Sequence, residues 1–123
     1  MKVLLINGSP HARGCTATAL GVVADVLEQN GLETEMIHVG LKDVRGCIGC
    51  DFLHGEMPIA SSRYWNMVHG NTTEEVLRDE EGLQTMRVLG RNMAFLIRAI
   101  ARERDAAGLP ETEPTRITTN FIR

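Results

Sequence analysis

The first forty residues carry a strand–helix–strand pattern that restricts the chain to a few architectures. Residues 2–7 are a short apolar run closed by a Gly-Ser-Pro turn signal, which predicts a strand buried on both faces, as in a parallel sheet. Apolar residues recur every three or four positions from residue 16 to 30, and Gly31 follows as a helix stop. Residues 34–39 are again strand-like. Two strands joined by a helix pair in parallel through a right-handed crossover, so the pattern predicts an α/β protein.

A long amphipathic helix is predicted for the second half of the chain. Apolar residues repeat every three or four positions from about residue 83 to 104. Upstream, Thr72 and Glu75 form a capping-box signal. We expect the Met and Leu stripe of this helix to lie in the core, with a subunit interface as the alternative. Four of its residues are expected on a solvated face: Arg87, Arg91, Arg98 and Arg102.

The stretch from Gly40 to Glu56 shows no helical period. It joins the second predicted strand to a third, over Pro58–Trp65. Consecutive parallel strands normally need a helix between them, and a structureless loop of this length is unusual in a compact domain. The sequence therefore indicates that structural elements are missing from this part of the chain.

Length and charge limit the classes of function. The 123 residues predict one domain, and a net charge of -3 argues against a general nucleic-acid binder. No apolar run approaches the ~20 residues that a membrane helix needs, so we expect no membrane partner. The three cysteines are an odd number, which disfavours a disulfide framework. Together with the absence of a signal-peptide pattern, this leads us to expect a cytoplasmic protein.

The loop after the first predicted strand, NGSPHARGCT, is a candidate phosphate site. Backbone N–H groups at a helix start lack partners within the helix, and the positive end of the helix dipole lies there. Ser9, Thr16 and Thr18 can add hydroxyl donors, and His11 and Arg13 can add positive charge. The spacing matches neither the dinucleotide fingerprint nor the P-loop. A phosphate site and a plain, capped strand–helix loop are therefore both open interpretations.

The stretch MKVLLINGSPHARGCTATAL resembles the N-terminus of flavodoxin-like NADPH-dependent FMN reductases, including the relatives of iron–sulfur flavoproteins. RGCIGC resembles the cysteine segment of that family, and residues 57–96 resemble its C-terminal strand and helix. The resemblance implies an FMN cofactor whose phosphate lies in the loop, with Cys15 standing where an Asn is common. The cofactor-binding residues that it implies are Ser9, His11, Cys15, Thr16 and Thr18.

The resemblance also implies the fold: a doubly wound parallel sheet. We expect residues 1–123 to form a single flavodoxin-like domain, truncated to about three strands and two main helices. The family's third and fourth strands are expected to be lacking between about residues 50 and 52. In the family, the loops of those strands hold the isoalloxazine ring and admit the nicotinamide.

The predicted function is FMN-dependent reduction of flavin or a small acceptor, with NAD(P)H as co-substrate and the flavin carrying the chemistry. No side-chain acid, base or nucleophile is required, so no catalytic residue is predicted. Two alternatives stay open: an FMN electron carrier without nicotinamide turnover, and a non-catalytic remnant that depends on a partner. The expected partners are a small-molecule substrate or electron acceptor and further copies of the chain.

Cys47 and Cys50 form a Cys-x-x-Cys pair, which suits a redox dithiol, a metal site or half of an iron–sulfur site. A cluster needs about four thiolates, and Cys15 is the one other cysteine of the sequence. We therefore expect ordinary reduced thiols and no metal ligand, with a site shared between two subunits as the alternative. Tyr64 and Trp65 could stack on a flavin, form a dimer contact or anchor a strand end.

Overall fold

A computed structural model describes residues 1–40, 58–63 and 65–111. Five elements follow one another in these residues, and they form an α/β arrangement with a parallel sheet. This agrees with the predicted truncated flavodoxin-like class. The predicted deletion point, between about residues 50 and 52, lies outside the described residues. The elements are β1 (Lys2–Asn7), α1 (Cys15–Gln29), β2 (Glu33–His38), α2 (Thr73–Arg78) and α3 (Glu80–Ala107).

The two strands pair in parallel, as the strand–helix–strand pattern predicts. Lys2 lies opposite Glu33 and Asn7 opposite His38, so the six residues of each strand are in register from end to end. The backbone N–H of Val39 extends the ladder by donating to the carbonyl oxygen of Asn7 at 2.9 Å. The carboxyl ends of both strands therefore lie side by side at one edge of the sheet.

The sheet is covered on one face. Leu5 is 5% exposed and packs against the helices, whereas its neighbour Leu4 is 54% exposed and Ile6 is 63% exposed on the opposite face. The expectation that this strand is buried on both faces is therefore wrong for the described residues. The side chains of this apolar run point alternately to the core and to the uncovered face. Because the residues on both faces are apolar, the sequence shows no alternation that would reveal which face is covered.

Helix α1 crosses back over the sheet and supplies much of the core. Its buried side chains include Val23 and Leu27, which are packed with Leu5 of β1. The chain leaves the helix through Asn30 and then Gly31, whose φ of +77° explains the glycine. This ending agrees with the predicted helix stop.

Two acceptor side chains set the starts of α2 and α3. The hydroxyl oxygen of Thr72 accepts the N–H of Glu75 at 3.3 Å, and the carboxylate of Glu75 accepts the N–H of Asn71 at 2.7 Å. This is the predicted capping box, shifted by one residue on its return bond. Asp79 begins α3 by accepting the N–H of Gly82 at 3.0 Å.

Asp79 also accepts the backbone N–H of His69 at 2.6 Å. The two backbone N–H groups, that of His69 first and that of Gly82 second, hold the pKa of the Asp79 carboxyl below its ordinary value of 3.8. The nearby His69 ring adds a smaller contribution in the same direction. The ionised carboxylate therefore joins the extended chain before α2 to the start of α3.

Helix α3 packs along α1 and runs in the same direction. At its middle, Gly90 lies so close to α1 that a Cβ there would be 2.9 Å from Cβ of Val26. About two turns further along α3, the guanidinium of Arg98 donates to the side-chain oxygen of Asn30 at 3.0 Å. The predicted long helix is confirmed, and Met86, Gly90 and Ala94 are buried as its core-facing residues. Its four predicted solvated arginines are exposed.

The predicted strand over Pro58–Trp65 is wrong for the residues described there, 58–63 and 65, which have no strand pairing. The segment is tied instead to α3: the amide of Asn92 donates to the carbonyl oxygen of Ser61 at 2.6 Å. Arg63 donates to Gln84 at 3.1 Å. In the described part of the chain, no helix has the length and apolar character needed to cross a membrane.

Candidate anion-binding site

The loop of residues 8–14 leaves the carboxyl end of β1 and enters the N-terminus of α1. Doubly wound sheets bind ligands outside the carboxyl ends of their strands. The loop therefore lies where a ligand is expected for this class of fold, and the question is whether its polar groups are available.

Asn7, the last residue of β1, stabilises the loop through hydrogen bonds of its side chain. Its side chain is fully buried. The side-chain oxygen accepts the backbone N–H of Ser9 at 3.0 Å, and the side-chain nitrogen donates to the carbonyl oxygen of Ala12 at 3.4 Å. These two bonds hold both ends of a tight turn, as Asn side chains do in Asx-turns. The shape of the loop is therefore set by a residue that the sequence analysis did not select.

The end of β2 supports the same loop from the side. The Nε2 of His38 lies 2.8 Å from the carbonyl oxygen of Ser9, so the ring must carry its proton on that nitrogen to donate. Gly40 approaches more closely still, because a Cβ at that position would lie 1.8 Å from the same oxygen. Glycine is required here by the close approach of two backbones. Neither residue could be found without knowing that the strands are in register.

The N-terminus of α1 has no side-chain cap. The first intrahelical bond runs from the N–H of Thr18 to the carbonyl oxygen of Gly14 at 3.1 Å. The backbone N–H groups of Cys15, Thr16 and Ala17 precede that bond, at the positive end of the helix dipole. This geometry leaves room for an acceptor supplied by a ligand.

The charges around the three helix starts differ in a way that favours an anion at α1. The first turn of α1 contains no acidic residue. By contrast, α2 and α3 each carry two acidic residues in the first turn. Carboxylates there already complement the dipole. Among the described helices, α1 therefore has the N-terminus that no acidic residue of its own first turn complements. The acidic residues are Glu74 and Glu75 in α2, and Glu80 and Glu81 in α3.

The five predicted site residues divide into two in the loop, Ser9 and His11, and three in the first turn of α1, Cys15, Thr16 and Thr18. The hydroxyl oxygen of Ser9 accepts the N–H of His11 at 3.2 Å, so these two residues form one hydrogen-bonded loop. Cys15 and Thr16 are the first two residues of α1, and Thr16 is exposed. The hydroxyl of Thr18 donates to the carbonyl oxygen of Gly14 at 3.3 Å, and the Cys15 thiol points toward the carbonyl oxygen of Gly70 at 3.6 Å. Thr18 therefore supports the helix start from within.

Cys47, Cys50 and Tyr64 lie outside the described residues. Trp65 is 70% exposed and lies in the segment that leads to α2. Within residues 1–40, 58–63 and 65–111, no group of three or more Cys, His, Asp and Glu side chains is placed to hold a metal ion.

A parallel strand–helix–strand unit, with an uncapped helix start at its carboxyl edge, defines the class of the chain as an α/β protein. The sequence profile of the NADPH-dependent FMN reductase family matches residues 1–67, which is more than half of the chain. The chain therefore belongs to this family, and the resemblance seen in its N-terminal sequence is confirmed.

Two relatives agree with this assignment. An iron-sulfur flavoprotein of Methanocaldococcus jannaschii is 36% identical over 61 residues, which are 48% of this chain and 32% of the relative. An iron-sulfur flavoprotein of Archaeoglobus fulgidus is 43% identical over 51 residues, which are 42% of this chain and 25% of the relative. The matches thus span about a third and a quarter of the relatives' lengths. No solved structure matches the chain.

Proposed function

We propose that the chain binds FMN and takes part in NAD(P)H-dependent reduction of flavin or a small acceptor. Family membership supports the flavin, and both relatives are flavoproteins by name. The observation that carries the proposal is the start of α1, where backbone N–H groups, the helix dipole and the absence of acidic residues coincide. When bound, the flavin supplies the hydride chemistry, and the protein supplies binding, orientation and electrostatics.

The residues of the loop suit the phosphate of FMN. The N–H groups of Cys15 and Thr16 donate to its oxygens, and the exposed hydroxyl of Thr16 adds a further donor. The hydroxyl of Ser9 still has its proton to donate, because in the loop it serves as an acceptor. His11 and Arg13 are exposed and bring positive charge near the rim. Thr18 acts through the helix start that it stabilises.

The first experiment is a titration of the protein with FMN, followed by quenching of flavin fluorescence. Thr16→Asp places a negative charge where the phosphate is proposed to bind, and it is expected to weaken binding tenfold or more, which corresponds to about 1.4 kcal/mol or more. Thr73→Asp is the matched control, because it adds the same charge in the first turn of α2. FMN should also bind more tightly than riboflavin, which lacks the phosphate.

Equal affinities of FMN and riboflavin, together with normal FMN binding by Thr16→Asp, would contradict the phosphate loop. Absence of any flavin binding by the unaltered protein would contradict the FMN assignment and favour the partner-dependent remnant.

The nicotinamide half of the proposal is tested separately. NADPH or NADH is mixed anaerobically with the FMN-loaded protein, and the yellow flavin band is followed. Bleaching by the nicotinamide supports the reductase, whereas a colour that dithionite alone removes supports the electron carrier. We propose a cytoplasmic setting for either activity, because free thiols are kept reduced there.

A further inference from the structure

A cavity of about 500 Å³ opens beside the first turns of α1. It lies between α1, α3, the covered face of β1 and residues 66–68. Pockets for small molecules and cofactors are roughly 300–1,000 Å³, so this cavity is large enough for a ring system. It is separate from the loop of residues 8–14 but shares residues with the helix start that follows it.

The cavity is lined mainly by apolar side chains. Three of them are methionines, Met67, Met86 and Met93. Thioether sulfurs are polarizable and make favourable contacts with aromatic rings, so a flat aromatic ligand suits this lining better than an aliphatic chain. Polar side chains line the same cavity: Cys15, Thr16 and Asn66.

Cys15 and Thr16 connect the cavity to the proposed phosphate site. Both line the cavity, and both belong to the first turn of α1, whose backbone N–H groups are proposed to bind the phosphate. One molecule with an anionic end, a short linker and a flat ring can therefore occupy both places. FMN has this construction, since a ribityl chain joins its phosphate to the isoalloxazine ring.

We infer that the isoalloxazine ring of FMN lies in this cavity, against the three methionines. The inference rests on the proposed function. It differs from the arrangement implied by the family resemblance, in which loops of the third and fourth strands hold the ring. Because the sequence is predicted to lack those strands, the ring in this chain needs another surface, and the cavity next to the phosphate loop provides it.

Lumiflavin, the ring without the ribityl phosphate, tests the cavity independently of the loop. Leu20 lines the cavity and is half-buried, so Leu20→Trp is expected to fill part of it and weaken lumiflavin and FMN binding tenfold or more. Leu77→Trp is the control, because it adds the same side chain at an exposed leucine of α2 outside the cavity lining. Fluorescence quenching measures both affinities.

A measurement without substitutions guards against a Leu20→Trp variant that fails to fold. The methyl groups of methionine are labelled with ¹³C, and lumiflavin is added while NMR spectra are recorded. The methyl signals of Met67, Met86 and Met93 should shift in the field of the aromatic ring. Those of Met1 and Met36, which are exposed and outside the cavity lining, should not.

The outcomes separate the two proposals. If FMN binds but the three methionine signals stay unchanged and the folded Leu20→Trp binds normally, the ring lies elsewhere, and the inference is overturned while the phosphate loop stands. If lumiflavin shifts the three signals but the phosphate adds no affinity, the cavity stands and the loop fails. If neither ligand binds, both are overturned.

Discussion

Asn7 connects the sheet to the candidate site. It is fully buried, and each end of its side-chain amide is bonded to a different backbone group of the loop. Strand residues that face the core are normally apolar. A buried amide at the last position of β1 is therefore explained by the turn that it holds and not by packing.

Replacing Asn7 with alanine should cost stability and flavin affinity together. The N–H of Ser9 and the carbonyl oxygen of Ala12 would lose their partners, and a typical hydrogen bond contributes about 0.5–1.5 kcal/mol to stability. The loop would also lose its shape, so FMN should bind about tenfold more weakly or worse. Chemical denaturation and flavin titration measure the two effects.

Asn30→Ala is the matched control at the other end of α1, where the amide donates to the carbonyl oxygen of Val26 at 2.8 Å. It should lower stability without a comparable loss of FMN affinity. Normal FMN binding by a folded Asn7→Ala would contradict the role given to Asn7.

Asp79 makes the stability of the chain depend on pH in the acidic range. Its folded pKa lies below the ordinary 3.8 because the N–H groups of His69 and Gly82 favour the carboxylate. The stabilisation is therefore fully present above pH 3.8 and is lost as the pH falls through the lower folded pKa. The melting temperatures of the protein and of Asp79→Asn should differ near neutral pH and converge as the pH falls below 3.8 through the lower folded pKa. A constant difference across this range would contradict the assignment.

Some single residues could be predicted from the sequence, and others could not. The capping box at Thr72 and the glycine stop at Gly31 depend on neighbours a few residues away, so local patterns reveal them. His38 and Gly40 act on Ser9, some thirty residues away in sequence, and their role follows from the register of the two strands. Asn7 carried a local signal, the Asx-turn preference of an Asn before Gly-Ser, that the sequence analysis did not use.

At the scale of elements, the contact between α1 and α3 depends on a glycine. A Cβ at Gly90 would meet the Val26 side chain at 2.9 Å and the Val23 carbonyl oxygen at 3.3 Å. Small residues at such a crossing allow two helix backbones to approach closely. The glycine that weakens α3 as an isolated helix therefore strengthens its packing.

Gly90→Ala should destabilise the protein by about 1–3 kcal/mol, although alanine is the better helix former, because the added methyl group forces the helices apart. Gly21→Ala is the control within α1. A Cβ there meets nothing within 4 Å, so that variant should be stabilised by about 0.5–1 kcal/mol. Denaturant titrations give both values, and a stabilised Gly90→Ala would contradict the close packing.

The elements with a strong period were predicted well. Helix α3 was expected over about residues 83–104 and extends over Glu80–Ala107, because Asp79 caps it earlier and Gly108, with φ +85°, ends it later than the apolar stripe suggests. The strand predicted at Pro58–Trp65 is wrong for the described residues. Ser61 and Arg63 are hydrogen-bonded to side chains of α3, and no described strand lies beside the segment. Strand preference depends on a neighbouring strand, which local sequence does not reveal.

At the scale of the whole molecule, the sheet separates a packed side from an open one. Leu4 and Leu5 are adjacent leucines of β1 on opposite faces, 54% and 5% exposed. The same substitution at Leu4 and at Leu5 therefore tests whether the helices cover one face of the sheet and leave the other exposed.

Leu5→Ala should lower the free energy of unfolding by about 2–5 kcal/mol, the usual cost of truncating a core leucine. Leu4→Ala should lower it clearly less than Leu5→Ala does, because more than half of the surface of Leu4 stays in contact with water. Denaturant titrations at low protein concentration measure both.

Equal and large losses in both variants would mean that the outer face is covered in solution. The homo-oligomer expected from the sequence stays a prediction, and sedimentation velocity of the protein and of Leu4→Ala tests it directly.

Helix α1 packs against both β1 and α3, and it thereby connects the first forty residues to the second half of the chain. Its first turn follows the loop, its flank packs on α3, and Asn30, directly after its last residue, accepts a hydrogen bond from Arg98. A ligand bound at the first turn of α1 should therefore stabilise α3 against local unfolding, although α3 is distant in sequence. Deuterium uptake at the amides of α3 should fall on addition of FMN, even where no flavin atom is near.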